Sequence, residues 1–409
     1  MLSKVLLGAG RQHKKLGYVV RVSSTQQDVV PKGPSKMAQY AELTKARLSS
    51  LVVLTTGAGF VCAGPASLDL TTMATACMGT GLCAASAGTF NQIIEKDRDA
   101  VMNRTKRRPL PSGHTTPMEA GALGIGTGIA GVAMLSTLPN PDVAGLGLMN
   151  IVLYAGVYTY SKPVSSVNTW IGSIVGAVPP VMGWMAAGGS MWDAQAVSLG
   201  SLLLLWQFPH FFSLSWLHRE DYARGGFQMV STGDAHGNRT AGLISEYSAY
   251  LSVLPLVTTA AGLTSTMFLL EASAANAYLL YLAKKFKENR SNANARKVFL
   301  CSLWYLPLLL TAYVVHSEQW ASQADHDEAT AGVTATQEGA DQGQSQGQTL
   351  VDAKKKLKNY CIHDKVVEAP HLCPGVLKTQ TKVELGAEKL INCEDKAGRA
   401  SAAITRADE

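Results

Sequence analysis

NQIIEKDRDAVMNRTKRRPLPSG, residues Asn91–Gly113, is the stretch from which the fold and the chemistry of this chain are read. It closes an apolar run that begins near residue 71. If the run continues as a helix, each residue advances by about 100°. Asn91, Glu95 and Asp99 then fall within an arc of about 80° and stack on successive turns, while Asp97 points to another face. Beyond them come Arg104, Lys106, Arg107 and Arg108, and then a Pro-Leu-Pro-Ser-Gly break. Carboxylates able to hold a divalent cation therefore lie beside bases able to hold phosphate, at the mouth of a membrane span. That is the chemistry of a diphosphate site. A charged loop that only sets topology would explain the bases. It would not explain the acid stripe, because carboxylates at a membrane edge are costly and usually functional.

Outward from this stretch the chain is apolar. Of 409 residues 47% are hydrophobic and 16% charged, and the apolar share is concentrated between about Leu48 and Val315. Runs near 20 residues match the thickness of a hydrocarbon core, so an all-α polytopic membrane protein is expected. Nine spans can be drawn, roughly 46–64, 71–93, 118–138, 143–160, 169–189, 196–217, 241–262, 265–283 and 297–316. The loops after the second, fourth, sixth and eighth spans carry the bases: the Lys96–Arg108 cluster, Lys162, Arg219 with Arg224 and Arg239, and Lys284 to Lys297. The opposite loops GPASLDL, TLPNPD and AAGGSMWDAQ contain no Lys or Arg. Such alternation places the charged loops on one side, facing the matrix or cytoplasm.

Both ends are polar. Residues 1–27 hold Lys4, Arg11, Lys14, Lys15 and Arg21 but no acid, which fits a mitochondrial transit peptide and arm over residues 1–40 better than a secretory signal. A membrane domain then covers 41–318. Residues 319–409 read as a polar, largely disordered tail. Its Cys361, His363, His371 and Cys373 match no metal-binding spacing, so a plain tail is the better reading.

Three further stretches carry candidate chemistry. HREDYARGGF ends the sixth span, and its Asp221, Tyr222 and Arg224 could face the first stretch across the bundle mouth. A single Mg²⁺ prefers one or two carboxylates plus phosphate oxygens, so two half-sites around a diphosphate are reasonable. Alone, HREDYARGGF could be a solvated helix end. YTYSKPVSSVNTW offers Lys162 as a point charge for phosphate, or merely as a topology signal. WQFPHFFSLSW places His210 after Pro209 inside an apolar run, among Trp206, Phe208, Phe211, Phe212 and Trp216. An intramembrane His is a functional candidate, although bonding to a carbonyl freed by the proline would also explain it.

These stretches, with NTWIGSIVGAVPPVMGW, resemble the protoheme IX farnesyltransferase (haem O synthase) branch of the UbiA superfamily of intramembrane prenyltransferases. The resemblance covers residues 40–318. It implies a UbiA-type bundle of about nine helices around a central cavity, and Mg²⁺-dependent transfer of a farnesyl group from farnesyl diphosphate to haem b. It further implies that Asn91, Glu95, Asp99 and Asp221 are the catalytic, Mg²⁺-holding set, with Arg104, Lys106, Arg107, Arg108, Lys162 and Arg224 on the diphosphate. His210, Trp206 and Tyr222 become candidates for holding haem. The expected setting is the mitochondrial inner membrane, with site loops in the matrix, a haem A synthase downstream and no nucleic acid partner. Two departures stand out. Gln92 follows Asn91 where the superfamily often has Asp, and Lys162-Pro163 stands where a Lys-Arg pair is expected. Rival readings are a prenyltransferase for a quinone or chlorin ring, a haem or ion carrier, and a non-catalytic assembly factor.

Overall fold

A computed structural model of the chain describes residues 34–64 and 69–317. The transit-peptide assignment and the tail with its Cys and His residues lie outside these residues, apart from the start of the first short helix. Among the described residues the fold is helical, and the only β pairing is an isolated bridge between Thr264 and Ser317. Short α1 (Lys36–Leu43) leads into α2 (Ala46–Cys62). There follow α3 (Leu70–Ile94), short α4 (Lys96–Val101), α5 (Pro117–Thr137) and α6 (Pro141–Ser161). The chain continues through α7 (Asn168–Ala186), α8 (Ala194–Leu217) and short α9 (Arg219–Arg224). It ends in α10 (Asn238–Ala260), α11 (Thr266–Glu288) and α12 (Asn292–Val315).

Five of these helices, α5, α6, α8, α11 and α12, are long and apolar enough to cross a membrane. Large aliphatic side chains stand exposed on the outer faces, such as Leu54 at 65% and Ile129 at 66%. In water that surface would be costly, and against lipid it is not.

Local chemistry explains the helix starts. Thr116 and Glu119 form a reciprocal capping box around Pro117, so α5 begins directly after the Pro-rich break. Asn140 accepts from the Val143 amide and Pro141 opens α6. Gly262, at φ 67°, turns the chain between α10 and α11 near the division expected from sequence.

Close backbone crossings join α2 and α7. A Cβ on Gly183 of α7 would overlap the Thr56 carbonyl of α2, and one on Gly59 of α2 would overlap the Pro180 carbonyl. Small residues at such crossings let helices approach without side chains between them. Pro179 and Pro180 sit within α7 and are buried.

The two ends of the bundle are distinct. At one end the Thr264–Ser317 bridge ties the α10–α11 turn to the end of α12, and Asn140 Nδ2 donates to the Met185 carbonyl. At the other, the Gln228 amide donates to the Lys162 carbonyl at 2.7 Å, and Arg219 donates to Asn292 Oδ1 at 2.9 Å. The loops after α4, α6, α8 and α11 thus gather at one end, as the charge alternation required.

Candidate active site

Asn91, Glu95 and Asp99 are stacked as the 3.6-residue period predicts, but not on one unbroken helix. Glu95 interrupts it with φ −90° and ψ 2°, separating α3 from α4. The register survives, because the Glu95 amide donates to the Asn91 carbonyl at 3.0 Å and the Asp99 amide to the Glu95 carbonyl at 2.8 Å. All three side chains are buried, at 0%, 5% and 1% exposed, whereas Asp97 is exposed.

Burial of charge demands partners. Lys162 Nζ donates to Glu95 Oε1 at 2.7 Å, and Arg108 Nη1 to Asp99 Oδ2 at 2.6 Å. The second oxygen, Asp99 Oδ1, is buried without a hydrogen-bond partner. Lys162 is itself only 8% exposed and lies 4.5 Å from the Tyr158 ring centroid and 5.7 Å from that of Phe227. Burial alone would depress its ammonium, but Tyr158 and Glu95 outweigh it, and its pKa lies above the ordinary lysine range.

Asp221 joins the second stretch to the first. Its two oxygens accept from the backbone amides of Asn103 at 3.1 Å and Arg104 at 3.0 Å, and it pairs with Arg224. Burial raises its pKa, but Arg224 and the two amides outweigh that, so the carboxyl stays below its ordinary value. Arg104 reaches back to Tyr222, with Nη2 3.4 Å from the hydroxyl and the guanidinium 5.6 Å from the ring centroid. A cleft of 240 Å³ beside Asp221 is lined by Asn103, His218, Arg219, Glu220, Arg224 and Asn292.

Other candidate bases are less engaged. Lys106 and Arg107 are exposed, and Lys106 donates to Asn103 Oδ1 at 3.1 Å. His210 turns toward α12. Its Nδ1 lies 2.9 Å from Ser302 Oγ of α12, and its ring stacks on Trp206 at 4.9 Å, with Phe299 at 5.1 Å. Trp206 also turns to α12, donating to the Ser302 carbonyl at 2.8 Å. Phe208, Phe212, Trp170 and Tyr247 form a separate aromatic cluster between α7, α8 and α10.

The structure adds residues that sequence reasoning passed over. The middle of α6, Val152–Tyr158, widens into a π-helical stretch. Thr159 Oγ1 bonds the Tyr154 carbonyl at 2.8 Å, and it accepts from Asn91 Nδ2 at 2.9 Å. The wider turn sets Thr159 on Asn91, Tyr154 on Lys45 and Tyr158 under Lys162, and such turns recur at functional sites. Arg98 Nη1 donates to the Gly225 carbonyl at 2.9 Å, a second tie between the two stretches. Lys45 Nζ donates to Asn91 Oδ1 at 2.5 Å.

Among the described residues no three acidic, His or Cys side chains gather as ready cation ligands. Asn91, Glu95, Asp99 and Asp221 are each turned to a base or a backbone amide instead. The donor set still fits Mg²⁺ that takes most of its ligands from a diphosphate. Every candidate ligand is a hard oxygen, and Asp99 Oδ1 is buried and unsatisfied.

An acid-and-base cluster thus closes one end of a helical bundle whose outer faces are apolar. The chain belongs to the UbiA prenyltransferase family, whose model matches residues 52–306. It is 43% identical over 270 residues to the mitochondrial protoheme IX farnesyltransferase of Homo sapiens, covering 66% of this chain and 60% of that protein. It is 40% identical over 278 residues to that of Arabidopsis thaliana, covering 68% and 64%. The chain thus spans less than two thirds of these mitochondrial relatives. It is also 36% identical over 282 residues to the protoheme IX farnesyltransferase of Solibacter usitatus, covering 67% of this chain and 96% of that protein. Among solved structures the fold is similar to that of a UbiA homolog from Aeropyrum pernix K1, with TM-score 0.53 and 16% identity over 65% of this chain and 97% of that one. A digeranylgeranylglyceryl phosphate synthase gives TM-score 0.59, also at 16% identity, over 68% and 98%.

Proposed function

We propose that this chain is a protoheme IX farnesyltransferase, converting haem b, farnesyl diphosphate and water to haem O and diphosphate. The observation that carries the reading is the pairing at the bundle mouth. Glu95, Asp99 and Asp221 are buried and each has a base, while Lys45, Arg98 and Arg104 have no acidic side-chain partner among the described residues. That surplus of positive charge suits a polyanionic substrate. The names of relatives 36–43% identical supply the acceptor, haem.

In this reading the farnesyl chain lies among the apolar helices and its diphosphate meets the charged mouth. Asn91, Glu95, Asp99 and Asp221 would hold Mg²⁺, which when bound neutralises diphosphate charge and favours its departure. Arg108 and Lys162 exchange their carboxylate partners for phosphate oxygens, and Arg104, Lys106, Arg107 and Arg224 draw in the same anion. The C1–O bond breaks with its electron pair leaving on the diphosphate, stabilised by these bases. A vinyl carbon of haem b bonds to the allylic C1. Water captures the resulting cation and loses a proton, giving the hydroxyethylfarnesyl group. Aromatic faces can shield the allylic cation. Trp206, His210 and Tyr222 are the proposed haem contacts.

The proposed setting is the mitochondrial inner membrane, with all nine long helices spanning it, site loops toward the matrix and the product passing to a haem A synthase. The test is acceptor choice. The purified chain with farnesyl diphosphate should farnesylate haem b and leave a quinone precursor and a chlorin untouched. Farnesylation of either alternative acceptor instead of haem b would replace this reading with its rival.

A further inference from the structure

Lys45 contributes to the positive surplus at the bundle mouth, but the mechanism above gives it no contact of its own. It is half-buried, and among the described residues no carboxylate pairs with it. Its ammonium rests on neutral groups. It donates to Asn91 Oδ1 at 2.5 Å and to the Tyr154 hydroxyl at 2.9 Å, with the Tyr154 ring centroid 5.3 Å away. An ammonium withdrawn from water onto neutral acceptors lacks a counter-charge.

The backbone is bent to put it there. Lys45 has φ 49° and ψ 46°, and among the described residues it is the one non-glycine with positive φ. An L side chain in that region is strained, and such strain collects at ligand clamps and active sites. The strained turn between α1 and α2 is held from α3. Gln92 Nε2 donates to the Glu42 carbonyl at 2.7 Å and the Leu43 carbonyl at 3.0 Å, and Thr89 Oγ1 to the Leu43 carbonyl at 3.4 Å. Gln92 is the residue that departs from the related Asn-Asp pattern. An ionised Asp has no proton to donate and could not hold those carbonyls.

We propose that the Gln92-held turn presents Lys45 as an anion subsite, where the Lys45 ammonium and the Tyr154 hydroxyl bind a phosphate oxygen of the prenyl diphosphate beside Asn91. The subsite rests on the prenyl-transfer reading. As the ammonium moves to phosphate, Asn91 Oδ1 loses its present donor and becomes available as an oxygen ligand. Gln92 is a positioning residue in this arrangement.

The test uses the full chain in detergent and measures binding without turnover. The probes are a non-hydrolysable farnesyl thiodiphosphate, farnesyl monophosphate, inorganic diphosphate and haem b. Lys45→Met should weaken the thiodiphosphate by about 10- to 100-fold, as loss of a charge-assisted contact does, and the monophosphate by less. Haem b affinity should not move. Lys45→Arg should recover part of the loss. Lys45→Gly relieves the positive φ, so it should unfold no lower in temperature than the wild type and still lose diphosphate affinity like Lys45→Met. Inorganic diphosphate should follow the same order as the thiodiphosphate. Wild-type thiodiphosphate affinity in both Lys45→Met and Lys45→Gly would overturn the subsite. A loss confined to haem b would overturn it too, marking a site for propionate. A wild-type chain that binds no prenyl diphosphate would instead overturn the prenyl-transfer reading beneath it.

Discussion

Lys162 Nζ stands 2.7 Å from Glu95 Oε1, joining the end of α6 to the break between α3 and α4 at a depth where both residues are under a tenth exposed. Removing either partner strands the other. Glu95→Gln and Lys162→Met should each cost about 3–5 kcal/mol of stability. The double variant should cost less than the sum of the two, by at least about 1 kcal/mol. Thermal unfolding in detergent reads this, and strictly additive losses would show that the pair is uncoupled.

Asp99 and Asp97 are two residues apart and differ in burial. Asp99→Ala removes the partner of Arg108 and should lower farnesyl transfer by at least about 100-fold, the scale of one lost electrostatic group. Asp97 is exposed, and Asp97→Ala should change the rate by no more than about twofold, as surface substitutions do. Equal losses would remove burial and the stripe as the deciding features.

Asp221 holds the backbone of Asn103 and Arg104 in place. In Asp221→Asn those two charge-assisted bonds weaken, each worth about 1.5–3 kcal/mol, so amide exchange across residues 102–105 should quicken about 10- to 100-fold. Its folded pKa is depressed, so this contribution is complete above the ordinary carboxylate pKa and is lost as pH falls through the lower folded value. Wild-type protection, corrected for intrinsic exchange, should therefore be flat from about pH 8 to 5 and fail only in stronger acid. A decline centred near neutrality would contradict this.

His210 packs between Trp206 and Phe299 with its Nδ1 on Ser302. If it also meets haem, His210→Ala should weaken haem b binding by about tenfold or more, roughly 1.4 kcal/mol, and leave farnesyl thiodiphosphate binding near wild type. Unchanged haem affinity with a lowered unfolding temperature would reduce His210 to helix packing.

Periodicity and charge carried far in this chain because each has a strong physical cause. The turn near Gly262 and the runs later seen as Ala46–Cys62 and Pro141–Ser161 were legible as apolar lengths. The common side of the charged loops was legible from where Lys and Arg are absent. That Asn91, Glu95 and Asp99 share one face and Asp97 lies off it followed from the 3.6-residue period; their burial did not. What escaped depends on backbone geometry that no pattern marks. The π-helical stretch re-phases Tyr154, Tyr158 and Thr159, and a straight helical count cannot find them. Lys45 looks like one more juxtamembrane base until its positive φ and its bond to Asn91 are seen. Gln92 looked like a missing acid, but its amide holds the turn before α2.

The most direct test of the account is Mg²⁺-dependent product formation by the purified full chain. With haem b, farnesyl diphosphate and Mg²⁺ it should release one diphosphate for each haem O formed. Chelation should stop both, and restored Mg²⁺ should return both. Haem O formed at an unchanged rate in chelator, or diphosphate released with no farnesylated haem, would contradict the central claim.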